Sequence, residues 1–214
     1  IRRPPRSTQG VSSAASDVYK RQHLIKGVEN SDSFCFNAHK TLGVPLSTSI
    51  LVVKNSDTLQ KSFSNKASYL YQTHDNEYNL GYSSFECGRR NNALKFWVLW
   101  KSVGSIGLEQ MIDHEFALAQ YARDYVKSNG NYKLYNAQKS MSVCFNYKNY
   151  EPQDLCNKLY EYNKLMVGYG NFKNISFVRL VTINSHNSNK EIDSFFKILE
   201  QFCEEHDDKI KKIN

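Results

Sequence analysis

No run of apolar residues in this 214-residue chain approaches the roughly 20 that a membrane-crossing helix needs, and no signal-peptide core stands near its start. Neither a membrane span nor a secretion signal is therefore expected. The five cysteines, Cys35, Cys87, Cys144, Cys156 and Cys203, include no C-x-x-C pair and are odd in number and widely spaced. That pattern supports neither a disulfide framework nor a zinc site, so the expectation is free thiols, a cytoplasmic location and no metal. Also missing is any stripe of Lys and Arg interleaved with aromatics, which a stacking nucleic-acid groove requires. The net charge of +7 misleads on this point: Arg2, Arg3, Arg6, Lys20 and Arg21 against Asp17 put +4 into residues 1–22 and leave +3 for the remaining 192. Nucleic acid is not an expected partner.

What is present is organised around one lysine. Ser33 to Phe36 alternates as a strand does, Asn37-Ala38-His39-Lys40 enters a loop, and Ser49 to Val53 resumes as a β-branched strand. Lys40 thus stands at a strand end. An amine held against a rigid sheet, beside an imidazole and shielded from water, loses its proton near neutral pH and can form a Schiff base. A solvated surface lysine beside a capping histidine is the plain alternative. Further on, Asp57 to Asn65 reads as polar helix or irregular chain, and Ala67 to Tyr78 as a long aromatic-punctuated surface loop of the kind that forms lids.

Asn91-Asn92 is placed to cap a helix through Ala93, Leu94, Phe96, Trp97, Leu99 and Trp100, which Gly104 and Gly107 break or bend. A second helix through Leu108, Met111, Ile112, Phe116, Ala119, Ala122 and Val126 stops at Ser128-Asn129-Gly130. The remainder alternates strand and helix. Met141 to Tyr147 is a strand, Pro152 opens a helix with Leu155, Leu159, Tyr162 and Leu165 on one face, and Ile175 to Ile183 is a second strand. Ser188-x-x-Glu191 is a capping box for a last helix that buries Ile192, Phe195, Phe196, Leu199 and Phe202, and Glu204 to Lys212 reads as its frayed end. Period two places Arg179 with Ile175, Phe177, Val181 and Ile183, on what is expected to be an apolar face, where it needs either an internal carboxylate or a ligand's.

Several collinear motifs resemble one family. Asn37-Ala38-His39-Lys40 with Gly43-Val44-Pro45-Leu46, Ala67-Ser68-Tyr69-Leu70-Tyr71-Gln72, Glu86-Cys87-Gly88-Arg89-Arg90, Leu94-Lys95-Phe96-Trp97 and Phe177-Val178-Arg179 are similar to segments of the group II pyridoxal-phosphate decarboxylases, closest to the glutamate and cysteine-sulfinate decarboxylases. The resemblance runs from His23 nearly to the C-terminus. It departs at Ala38, where the family usually has proline, and at Ser47-Thr48, where Gln-Cys is common.

The resemblance implies an α/β fold: the C-terminal part of a fold-type I, aspartate-aminotransferase-like enzyme, with the end of the large domain at 23–128 and the small domain at 129–214. It implies a pyridoxal 5'-phosphate Schiff base on Lys40, cofactor contact from His39, proton donation by Tyr69, and an α-carboxylate clamp at Arg179. The implied substrate is a small acidic amino acid, glutamate first, with cysteine sulfinate or aspartate as alternatives, in a homodimer. The family's first half has no counterpart before His23, so an incomplete chain of little activity is expected, and a truncated, non-catalytic interaction module is the rival reading. Residues 1–22 resemble translated adaptor sequence or a disordered leader; were they instead a binding element, polyanion binding would be salt-sensitive and lost on their removal.

Overall fold

A computed structural model of the chain describes residues 25–63, 83–84, 86, 88–135 and 139–213. It divides into two compact units, residues 1–108 and 109–214. The division falls inside a helix, whereas the stop signal at 128–130 had set the expected domain boundary.

In the first unit the alternating segment forms β1 (Ser33–Asn37) and the β-branched run forms β2 (Ser49–Val53). They pair antiparallel, with Phe36 opposite Ile50 and Asn37 opposite Ser49. Phe36 turns inward and is buried, while Leu51 and Val52 stay exposed. The polar stretch after β2 becomes α1 (Asp57–Phe63), with Lys61 bridging Asp57 one turn back at 3.4 Å.

Helix α2 (Asn92–Ser128) begins under a side-chain cap, since the Leu94 amide donates to Asn91 Oδ1 at 3.2 Å. It is broken at Gly104, whose φ of 67° and ψ of 177° lie outside helical space. The break brings Val103 over residue 107, where a Cβ would lie 2.8 Å from Val103 Cβ. Gly104 is thus required by conformation and Gly107 by close approach.

In the second unit β3 (Tyr132–Leu134), β4 (Ser142–Tyr147), β5 (Gly168–Phe172) and β6 (Ile175–Val181) form an antiparallel sheet in the order β3-β4-β6-β5. Helices α3 (Pro152–Glu161) and α4 (Asn189–Glu205) complete it. Leu118, Ala119, Ala122 and Val126 of α2 share one core with Val143, Phe145 and Val178 of the sheet, Leu155 and Leu159 of α3, and Ile192, Phe196, Leu199 and Phe202 of α4. Phe196 stacks on Tyr125 with ring centroids 4.2 Å apart. The box at Ser188 and Glu191 forms in full, and Pro152 occupies the first turn of α3.

Four readings need correction. Helix α3 stops at Glu161, because Tyr162 is its C-cap and Asn163 takes φ 54°, so Tyr162 and Leu165 lie beyond the helix. The segment after α4 is not frayed: Ile210 is buried, and the Lys211 amide donates to Asp154 Oδ2 at 2.8 Å. Strands β3 and β5 were not read from the sequence. Finally, the buried face of β6 carries Val178, and Arg179 lies on the other face, beside the exposed Ile175 and Val181. Period two grouped these residues correctly but left open which set faces the core.

Candidate active site

The loop between β1 and β2 is folded on itself by backbone bonds. The Lys40 amide donates to the Asn37 carbonyl at 3.0 Å, the Gly43 amide to the Lys40 carbonyl at 3.1 Å, and the Val44 amide to the Ala38 carbonyl at 3.2 Å. Gly43 turns the chain at φ 64°, a left-handed conformation in which a Cβ is strained. Ala38, Thr41, Leu42, Val44 and Thr48 are buried, whereas the Lys40 side chain is exposed. The sequence thus places a free-standing amine on tightly held backbone.

His39 closes the base of this loop. Its amide donates to the Thr48 carbonyl at 3.2 Å, and its Nδ1 lies 3.0 Å from the Thr48 amide nitrogen and 2.8 Å from the Thr48 carbonyl oxygen. With its proton on Nε2 the ring accepts from the amide; with a proton on Nδ1 it donates to the carbonyl. In either state Nδ1 is committed to backbone, and Nε2 is the nitrogen left to meet a ligand. Thr48 Oγ1 in turn donates to the Pro45 carbonyl at 3.2 Å, and Ser49 Oγ to Asn37 Oδ1 at 2.6 Å. Thr48, set down by the sequence only as a departure from the family pattern, is the residue that grips His39.

Arg179 stands in the second unit, on β6. It pairs across the sheet with Cys144 of β4 and with Gly168 of β5, and its Nε donates to Ser142 Oγ at 3.2 Å. That bond fixes the near edge of the guanidinium and leaves its two terminal nitrogens, the planar fork that matches a carboxylate. Burial pushes the Cys144 thiol above its ordinary pKa, while the adjacent Arg179 charge draws it back down. Ser142 carries no sequence signal of its own; its part follows from the register that puts it one row from Arg179. Lys40 and His39 belong to one unit and Arg179 to the other, and Tyr69 lies outside the described residues.

An accessible amine on rigid backbone, preceded by an imidazole with one fixed nitrogen, fits covalent attachment of an aldehyde cofactor. Among the described residues no cluster of His, Cys, Asp and Glu could hold a metal ion, and no helix is long and apolar enough to cross a membrane.

Comparison with known proteins gives these features a context. Residues 17–148 match the pyridoxal-dependent decarboxylase conserved domain. Human acidic amino acid decarboxylase GADL1 is 31% identical over 196 residues, covering 81% of this chain and 38% of that protein. Mouse cysteine sulfinic acid decarboxylase is 35% identical over 128 residues, covering 58% of this chain and 26% of that protein. The chain therefore spans less than half the length of these curated relatives. The crystal structure of mouse CSAD matches with a TM-score of 0.77 at 26% identity, over 89% of this chain and 44% of that one. Catharanthus roseus tryptophan decarboxylase, solved in complex with L-tryptophan, matches with a TM-score of 0.75 over 90% of this chain and 43% of that one; at 20% identity it bears on fold alone. The architecture is that of the C-terminal part of a fold-type I enzyme, pyridoxal phosphate is the family's cofactor, and this chain belongs to the pyridoxal-dependent decarboxylase family of amino-acid decarboxylases.

Proposed function

We propose that this chain is the C-terminal portion of an acidic-amino-acid decarboxylase in which Lys40 holds pyridoxal phosphate and Arg179 binds the substrate's α-carboxylate. The observation that carries the reading is the exposed Lys40 on a loop whose neighbouring side chains are buried, inside the segment that matches the family domain. Residues 23–128 are the end of the cofactor-binding domain in this reading and 129–214 the small domain. The names of the relatives, acidic amino acid decarboxylase and cysteine sulfinic acid decarboxylase, support a substrate with an acidic side chain. Glutamate, giving γ-aminobutyrate, is the first candidate, with cysteine sulfinate and aspartate beside it. The enzyme is read as a cytoplasmic homodimer.

The bound cofactor supplies a ring that takes up the electrons left when carbon dioxide departs. The chain supplies the rest. Lys40 Nζ would hold the cofactor at its aldehyde carbon, and His39 Nε2 stands one residue away, aimed by its fixed Nδ1. Arg179, steadied by Ser142 Oγ, grips both carboxylate oxygens and so sets the direction of the bond to be broken, which is an orientation task more than an affinity task. Tyr69, outside the described residues, is assigned the proton delivered to Cα.

Reduction with borohydride in the presence of pyridoxal phosphate, followed by peptide mapping, tests the anchor. Preferential label on Lys40 over the other lysines is expected; an even spread, or a preference elsewhere, removes Lys40 from the role. The isolated chain is expected to release little carbon dioxide from glutamate, and sustained cofactor-dependent release would refute its reading as a portion of the enzyme.

A further inference from the structure

The loop that carries Lys40 is closed from within at its base, by His39 against Thr48, but residues 43–47 form an outer limb in which Gly43, Pro45, Leu46 and Ser47 are exposed. Val44 anchors the near end of the limb by burial, but Leu46 has 75% of its surface open, so side-chain burial does not hold the far end down. Its carbonyl is held instead. Lys95 Nζ, on the first turn of α2, donates to the Leu46 carbonyl oxygen at 2.7 Å across 49 residues of sequence. The Asn91 cap starts the helix one turn earlier and thereby fixes where Lys95 emerges. A charged donor on a neutral carbonyl is one of the stronger hydrogen bonds available at a surface, and here it joins a helix to the far side of a catalytic loop.

We propose that Lys95 is a positioning residue for Lys40: its ammonium braces the 43–47 limb, and so keeps the turn from Asn37 to Gly43 in the form that presents the Lys40 amine. The inference rests on the reading of Lys40 as cofactor anchor, and deepens it. The limb and the anchor turn are coupled through two bonds, Val44 amide to Ala38 carbonyl and Gly43 amide to Lys40 carbonyl. Displacing the limb therefore pulls on the backbone of the residues before and at the anchor.

The test uses the full 214-residue chain with Lys95→Met, which keeps the aliphatic stem and removes the donor, and Lys95→Arg, which keeps a cationic donor. Amide hydrogen exchange at Val44, Gly43 and Thr48 reports the loop directly, and borohydride trapping with pyridoxal phosphate across a pH series reports the Lys40 amine. Lys95→Met is expected to speed exchange at these amides roughly fivefold, the loss of one charge-assisted bond. The fraction of label on Lys40 should fall, and its pH dependence should move. Lys95→Arg should return both toward the parent chain, a rescue that mere loss of surface charge would not produce. Unchanged exchange at the three amides in Lys95→Met overturns the proposal, as does altered labelling in which Arg behaves like Met. If the parent chain shows no preference for Lys40 while Lys95→Met still loosens the loop, the brace stands and the anchor reading is what fails.

Discussion

Glu115 is the residue whose surroundings least suit it. It is fully buried on α2, and among the described residues neither carboxylate oxygen has a hydrogen-bond partner. Burial pushes its carboxyl up to about 8, against 4.5 for the group in water. The folded state therefore prefers the protonated acid. Its contribution to stability is complete below pH 4.5, declines as pH rises above that value, and is gone above about 8. Denaturant titrations at pH 5 and pH 8.5 should show the chain losing roughly 3 kcal/mol of stability on this account, and Glu115→Gln should flatten the difference. Equal pH dependence in the two proteins would mean that another group titrates. The sequence concealed this site because an apolar stripe does not pick out a carboxylate: the stripe runs through Phe116, whereas the buried line runs Ile112, Glu115, Ala119, Ala122. The place of Lys40, just past a strand end, was legible for the opposite reason. Its neighbours alternate strongly enough to fix a strand, and a strand end fixes the loop.

Among the elements, α2 shows how two glycines can be required on different grounds. At Gly104 a Cβ would meet nothing within 4 Å, but φ 67° with ψ 177° is a conformation reserved in practice for glycine. At Gly107 φ lies outside the left-handed region and it is space that is lacking, with Val103 Cβ 2.8 Å from the added carbon. Gly104→Ala should therefore cost about 2 kcal/mol through backbone strain, whatever stands at 103. Gly107→Ala should cost a comparable amount that Val103→Gly, which removes the Cβ in the way, largely relieves, because the pair shares one contact. Thermal melts of the three single variants and of the 103/107 and 103/104 double variants separate the cases; relief of Gly104→Ala by Val103→Gly would contradict the assignment. Both glycines, the cap at Asn91, the box at Ser188 and the proline at 152 were readable, since each acts through backbone geometry within a few residues. Strand β5 was not. Gly168-Tyr169-Gly170-Asn171-Phe172 has little strand propensity, and pairing with β6 imposes the conformation. The ring of Phe177 fills the space beside Gly170, where a Cβ would lie 2.9 Å from it.

At the scale of the molecule, the unit of residues 1–108 leaves much apolar surface open. Leu46, Leu51, Val52, Leu94, Trp97 and Ile106 are among the large side chains that stay half or more exposed there, with Ile106 at 71% and Trp97 at 57%. Scattered apolar residues are ordinary on protein surfaces, but an exposed tryptophan with exposed aliphatic residues at 94 and 98 on the same helix is a continuous contact surface. The apolar set Ala93, Leu94, Phe96, Trp97, Leu99 and Trp100 is wide enough to predict a helix buried on most sides. Its composition supports that reading, and the described structure leaves Leu94, Trp97, Val98 and Trp100 open. Composition reports the tendency to be covered, and the identity of the cover lies outside it. In the described structure this surface is open to association. Covering Trp97 and Ile106 is worth about 3 kcal/mol through apolar burial, which alone reaches only the millimolar range, so association draws on the neighbouring Leu94 and Val98 as well. Sedimentation velocity should show the isolated chain growing in mass with concentration. Trp97→Lys with Ile106→Lys should return it to a monomer without loss of helical circular dichroism, because neither side chain contributes to the core of the second unit. A parent chain that stays monomeric across the same range would show that these side chains do not drive association, and would leave the interaction-module reading without its surface.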